Sequence, residues 1–179
     1  LIFVCEWAKD RETSWSGTNN SIFQRLRNDY DLIDFDIGIR KQYTFVTKAC
    51  QKLKLISQKK ASSLRQNHFG RKLARDYSYD IPCFEFGEHP HNEKRLSFCY
   101  QDLSILYVKH MKEKLPDIYK VSNFENIQED CLDDWVENQR KFYQNPNTIV
   151  FTMGEWLRKW LISERLIDPN RVFTVGGGI

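Results

Sequence analysis

Three short stretches of this chain carry side chains that could do chemistry. The first is Trp15-Ser16-Gly17-Thr18-Asn19-Asn20, which sets hydroxyls and amides around one glycine just ahead of a run with helical spacing. Free backbone N–H groups and the positive end of a helix dipole there suit an anionic or polyhydroxylated ligand, and Gly17 lets the backbone approach it closely. The same residues also read as a simple helix start, capped by Thr or Asn, with Gly17 in the turn. The stretch is neither a G-x-G-x-x-G loop nor a P-loop with its lysine. The second stretch is Gln101-Asp102, at the end of a β-like run. A carboxylate there accepts hydrogen bonds from sugar hydroxyls, or else caps the following helix. The third is Glu88-His89-Pro90-His91. Two histidines astride a proline invite a metal, but no Cys/His pair matches them at ligand spacing, so an exposed loop is expected, with Glu88 as its candidate ligand contact and no metal. The chain has no G-x-S-x-G, H-E-x-x-H or C-x-x-C.

The elements that must position these residues follow from hydrophobic periodicity. Residues 1–7 (LIFVCEW) form a continuous apolar strand of the kind buried in a parallel sheet. A polar loop over 8–20 leads to a helix over 21–28, and 31–37 (DLIDFDI) alternates as a second strand. Residues 45–73 have helical tendency, 82–86 and 96–101 read as strands, and 105–115 is a helix ending before Pro116. A helix over 126–143 is broken by Asn145-Pro146-Asn147; a strand at 148–152, a helix at 154–165 and a strand at 171–175 complete the run. Strands alternating with helices predict an α/β fold: a Rossmann-like, doubly wound parallel sheet with helices on both faces. In such sheets ligands bind outside the carboxyl ends of the strands, which is where the first and second stretches fall.

Composition narrows the classes. The chain has 179 residues, 41% hydrophobic and 14% aromatic, enough for one domain with a full core rather than disorder. No stretch approaches the roughly 20 apolar residues of a membrane span. Five scattered cysteines, Cys5, Cys50, Cys83, Cys99 and Cys131, fit buried reduced thiols and a cytoplasmic setting. The net charge of +3 conceals one basic block: residues 40–75 hold eleven cations and no acid. That block reads as a solvated helix face, or as a surface for anionic lipid headgroups through Lys52, Lys59, Lys60 and Arg71, at about 1 kcal/mol per well-placed cation. Nucleic acid is not expected, because aromatics are sparse between the cations. The strand at the start has no lead-in, and Gly176-Gly177-Gly178 follows the last strand directly. Residues 1–175 are expected to be one domain of a larger protein, with 176–179 opening an interdomain linker.

Four segments, in order, carry a resemblance. They are Trp15-Ser16-Gly17-Thr18 after the first strand, Phe98-Cys99-Tyr100-Gln101-Asp102-Leu103-Ser104, Ile149-Val150-Phe151-Thr152-Met153-Gly154-Glu155-Trp156, and Arg171-Val172-Phe173-Thr174-Val175-Gly176-Gly177-Gly178-Ile179. Together they resemble the N-terminal domain of a GT-B glycosyltransferase of the family 4 type. The resemblance implies a transferase that moves a sugar from a nucleotide-sugar donor to a glycan or lipid-linked acceptor, without a cofactor or a metal. This half would hold the acceptor, and a second domain most of the donor. Trp15, Ser16, Gly17, Thr18, Asn19, Gln101 and Glu88 would contact substrate, and Asp102 would serve catalysis. An anionic membrane surface, reached from the cytoplasm, is a further expected partner. Many relatives carry His at the position of Gln101 and Ser at the position of Gly154; Gln can hydrogen-bond a sugar but cannot relay protons. The competing classes are a non-catalytic α/β module with a basic membrane-surface helix, and another GT-B-like enzyme such as a phosphorylase or epimerase.

Overall fold

The structure, a computed structural model, describes residues 1–38, 50, 55–87 and 94–177. Six strands form one all-parallel sheet: β1 (Ile2–Cys5), β2 (Ile33–Asp36), β3 (Cys83–Phe86), β4 (Ser97–Gln101), β5 (Thr148–Thr152) and β6 (Val172–Thr174), in the spatial order β2-β1-β3-β4-β5-β6. The described helices are α1 (Thr18–Asp29), α2 (Gln58–Asp76), α3 (Ile105–Lys114), α4 (Pro116–Lys120), α5 (Glu129–Gln144) and α6 (Glu155–Ser163). The expected Rossmann-like, doubly wound α/β architecture is what forms.

Strand alternation assigns the two faces. Val4, Glu85, Cys99, Val150 and Val172 lie side by side in register on one face. Leu73 of α2 packs there on Ile2, Val4 and Phe35. Further along, Phe142 and Tyr143 of α5 and Leu157 and Leu161 of α6 pack on Cys99, Val150 and Val172. Phe3, Phe84 and Phe98 share the opposite face, where Phe23 of α1 meets Phe3 edge-on at 5.1 Å. On that face α1 packs over β1 and β3, while Phe151 stays half-buried and Phe173 is 45% exposed. The β1-to-β2 connection places α1 on one face and the β2-to-β3 connection places α2 on the other. The connection leaving β1 runs toward β2 and the connection leaving β3 runs the other way toward β4, so the topological switch point lies between β1 and β3.

Several boundaries differ from expectation for local reasons. The polar stretch over 8–20 is not a loop throughout: it contains a 3-10 helix, Arg11–Gly17, and α1 begins at Thr18. The single helix expected over 45–73 is not continuous. Residues 55–57 are non-helical, and Ser57 caps α2 by accepting from the Lys60 N–H at 3.1 Å. The rest of that expected helix, at 45–49 and 51–54, lies outside the described residues. Pro116 ends α3 as expected but also starts α4, since its fixed φ and missing N–H suit a first helical position.

Buried Arg95 ties the strand-entry side together. It is 0% exposed and donates to the carbonyls of Ser78 (2.7 Å), Ile81 (2.5 Å) and Tyr77 (2.9 Å). A planar guanidinium satisfies three convergent acceptors where an ammonium on a flexible stem would not be held in that geometry.

Candidate functional site

The carboxyl end of β1 is held by a dense local network. The Trp7 indole donates to Asp34 at 2.7 Å and packs on Phe3 and Phe23. Arg11 lies 4.5 Å over that indole and pairs with Asp34 at 2.5 Å. Asp36, beside Asp34 on β2, accepts from the backbone N–H of Trp7 and of Gly38. These contacts set the path of the 3-10 helix, which ends at Gly17 with φ +87°. A Cβ there would approach the Glu12 carbonyl to 3.2 Å, and L-residues are strained at that φ, so the turn depends on glycine.

Gly17 is itself the N-cap of α1, and no side chain caps the helix. The alternative of a Thr or Asn cap is therefore not realised: Thr18 and Asn19 are already helical. Asn19 is 5% exposed; its amide nitrogen donates to the Cys5 sulfur at 2.9 Å, and its Oδ1 is buried with no partner among the described residues. Burial pushes the Cys5 thiol up to about 12, outweighing the Asn19 hydrogen bond that lowers it, so Cys5 stays neutral. Trp15 and Ser16 lie in the 3-10 helix; their side chains fall outside the described set.

At the end of β4 two neighbouring residues part company. Gln101 is 1% exposed and donates to the Tyr143 hydroxyl at 2.6 Å, facing the core under α5. The side chain expected to contact a sugar is thus engaged within the core. Its place on the same strand face as apolar Cys99 was the available signal. Asp102 is exposed at the strand tip. It does not cap α3, because Ser104 does so, accepting from the Leu106 N–H at 3.2 Å and donating to Gln139 at 2.6 Å. The Asp102 carboxylate adds to burial in raising the Tyr100 phenol above its ordinary value. That phenol donates to the Gly176 carbonyl at 2.9 Å, which lays the segment after β6 across the β4 tip.

The ends of β5 and β6 carry a pair that motif reading missed. Thr174 donates to Glu155 at 2.6 Å, and this bond holds the Glu155 carboxyl below the usual carboxylate range, helped by Arg158. Thr152 and Thr174 are register partners with their hydroxyls 3.3 Å apart. The repeated Thr at the two strand ends was the only trace of this in the sequence. All strands being parallel, the Gly17 turn, Asp102 and the Glu155–Thr174 pair share the carboxyl end of the sheet.

The other candidates sit elsewhere. Glu88 and Lys52 lie outside the described residues, as do His89 and His91. Among the described residues no cluster of three or more His, Cys, Asp or Glu could hold a metal. Lys59, Lys60 and Arg71 lie on α2. Lys59 pairs with Asp134 at 3.3 Å, Arg71 donates to the Asn67 carbonyl, and Lys60 is exposed. Nearby, Arg65 pairs with Glu6 and Arg75 with Asp76, so among the described residues of the basic block Lys59, Arg65 and Arg75 have acidic partners. No described helix is long and apolar enough to cross a membrane. No protein-family profile, curated protein or solved structure matches this chain.

Proposed function

We infer that this chain is the acceptor-binding half of a glycosyltransferase of the GT-B, family 4 type, acting with a nucleotide-sugar donor and a glycan or lipid-linked acceptor. The observation that carries this reading is the start of α1. It follows β1 beside the switch point, and its cap is a glycine at φ +87° that brings no side-chain cap hydrogen bond. A helix start approached through a bare glycine at a switch point suits the phosphates or hydroxyls of a sugar nucleotide. Asp102 adds an exposed carboxylate at the β4 tip, free of helix capping, which can accept a hydrogen bond from an acceptor hydroxyl. In this reading most of the donor nucleotide is held by a second domain joined through the glycines at 176–178, and no metal takes part.

The test incubates the full-length protein with UDP-, GDP- and ADP-hexoses and with glycan or lipid-linked acceptors, and reads nucleotide release. Acceptor-dependent release is expected, falling about 100-fold or more in Asp102→Asn, the scale of a lost general base. Sugar-phosphate formation, or sugar-nucleotide conversion that ignores the acceptor, would instead mark a phosphorylase or an epimerase and end this reading. A peripheral position on an anionic membrane from the cytoplasmic side is a secondary element of the proposal. Exposed Lys60 and Arg71 favour it, and the ion pairs to Glu6, Asp76 and Asp134 weaken it.

A further inference from the structure

Four aromatic rings cluster where α3 and α6 leave the sheet. Tyr107 meets Trp156 edge-on at 5.0 Å and Trp160 at 5.0 Å, and stacks on His110 at 5.6 Å. Trp160 also meets His110 at 5.9 Å. Three of these rings are half-buried, but Trp156 is 48% exposed. Only Met153 and Gly154 separate β5 from α6, so Trp156 stands in the first turn beyond a strand tip, at the ligand-binding end of a parallel sheet.

Gly154 explains how the indole is held. A Cβ on Gly154 would lie 2.7 Å from Trp156 Cδ1 and 2.8 Å from Nε1. The five-membered edge of the indole therefore lies against bare backbone, in space that any side chain at 154 would take. The Gly154 backbone, at φ −124° and ψ 143°, is open to every L-residue, so the glycine is not there for its conformational freedom. What the missing Cβ permits is the position of Trp156. Bare backbone on one side and Tyr107 on another hold a large exposed ring in one orientation, which lowers the ordering cost of anything that stacks on it.

We propose that Trp156, seated on Gly154 and buttressed by Tyr107, is a stacking platform for a pyranose ring of the acceptor. The face of an indole is electron-rich. The axial C–H groups of a pyranose form a flat, weakly positive face that complements it, while the equatorial hydroxyls point outward to polar neighbours. The Glu155 carboxylate, with the Thr174 hydroxyl bonded to it, lies one residue away at the same strand ends. A neutral sugar is favoured over an anion because the exposed group is a ring rather than a cation. The proposal rests on the glycosyltransferase reading for the identity of the acceptor, while the stacking itself can be tested without turnover.

The experiment follows the Trp156 indole N–H by NMR as methyl gluco-, galacto- and mannopyranosides are added to the full-length protein. The signal is assigned from its loss in Trp156→Phe. A saturable shift is expected with at least one sugar. Gly154→Ala should abolish it, because the new Cβ displaces a surface side chain at a backbone conformation alanine accepts. In transfer assays Trp156→Ala and Gly154→Ala should raise the acceptor KM about tenfold, the weight of one good stacking contact, with the donor KM unchanged. If no sugar moves the indole signal, or both variants keep the wild-type acceptor KM in an active enzyme, the platform is refuted while the transferase reading stands. A saturable shift in a protein with no transferase activity has the opposite meaning: the platform holds and the enzyme reading fails.

Discussion

Glu85 is the residue whose charge the fold constrains most. It sits mid-sheet on β3, 2% exposed, with Oε1 lacking a partner among the described residues. Burial raises its carboxyl from 4.5 to about 8, and nearby Ser97 and Arg95 only partly counter that. Its folded value lies above its unfolded one, so the native state holds the extra proton between about pH 4.5 and 8. The stability this confers is complete below about 4.5 and is lost as pH rises to about 8. Unfolding of the wild type by urea should therefore need less denaturant at pH 8 than at pH 5. Glu85→Gln should flatten that decline, by up to about 1.4 kcal/mol for each pH unit in the window. Equal pH slopes for the two proteins would contradict the assignment. Nothing in the run Cys83-Phe84-Glu85-Phe86 marks its acid as a core group, because alternation on a strand buried on both faces leaves no solvent side to expect it on. Gln101 escaped sequence reading for a related reason. A polar residue at a strand tip looks available to ligand, and only the tyrosine brought over it by α5 makes it a core hydrogen-bond donor.

Helix α2 is positioned by its start and by α5. Ser57 caps it, Gln58 and Gln128 exchange hydrogen bonds with each other's backbone N–H at the starts of α2 and α5, and the Trp135 indole donates to Ser62 at 2.7 Å. Ser57→Ala is expected to cost about 1 kcal/mol, the usual worth of a serine cap, visible as a lower urea midpoint with an unchanged slope. A midpoint within error of wild type would show that the helix start is held by the glutamine pair instead. The strands at 82–86, 96–101 and 148–152 were legible almost to the residue, because continuous apolar runs between polar segments have few other fates in a chain this size. The break at 55–57 was not legible. The apolar spacing runs through it, and a serine interrupts a helical pattern only when its side chain finds the N–H three residues on.

At the level of the molecule, the parallel pairing of all six strands brings every strand's carboxyl end, and with them the Gly17 turn, Asp102 and the Glu155–Thr174 pair, to one side of the sheet. The proposed division of labour makes a sharp prediction for residues 1–179 produced alone. They should bind saccharide through the Trp156 region yet turn over no nucleotide-sugar, since most donor contacts are assigned to the second domain. Nucleotide release by the isolated chain at a rate near that of the full-length protein would contradict this. The buried thiols Cys5, Cys83 and Cys131, pushed by burial to about 12, 12 and 11, take no part in such chemistry at neutral pH, since a thiol that high carries almost no thiolate.

The alternation of apolar strands with amphipathic helices was enough to establish a parallel α/β sheet, because each burial pattern has one period and a parallel pair needs a crossover between its strands. The same logic places Gly17 and Asp102 beyond strand ends from spacing alone. Strand order could not be read that way, since any of several orders satisfies the same pattern. Nor could the side-chain outcome at each tip. Gln101 turned inward, Asp102 stayed outside, Asn19 was buried with an acceptor left over, and Trp156 settled on a bare glycine. Those outcomes depend on what distant elements bring within a few ångströms, and that proximity is set by packing rather than by spacing along the chain.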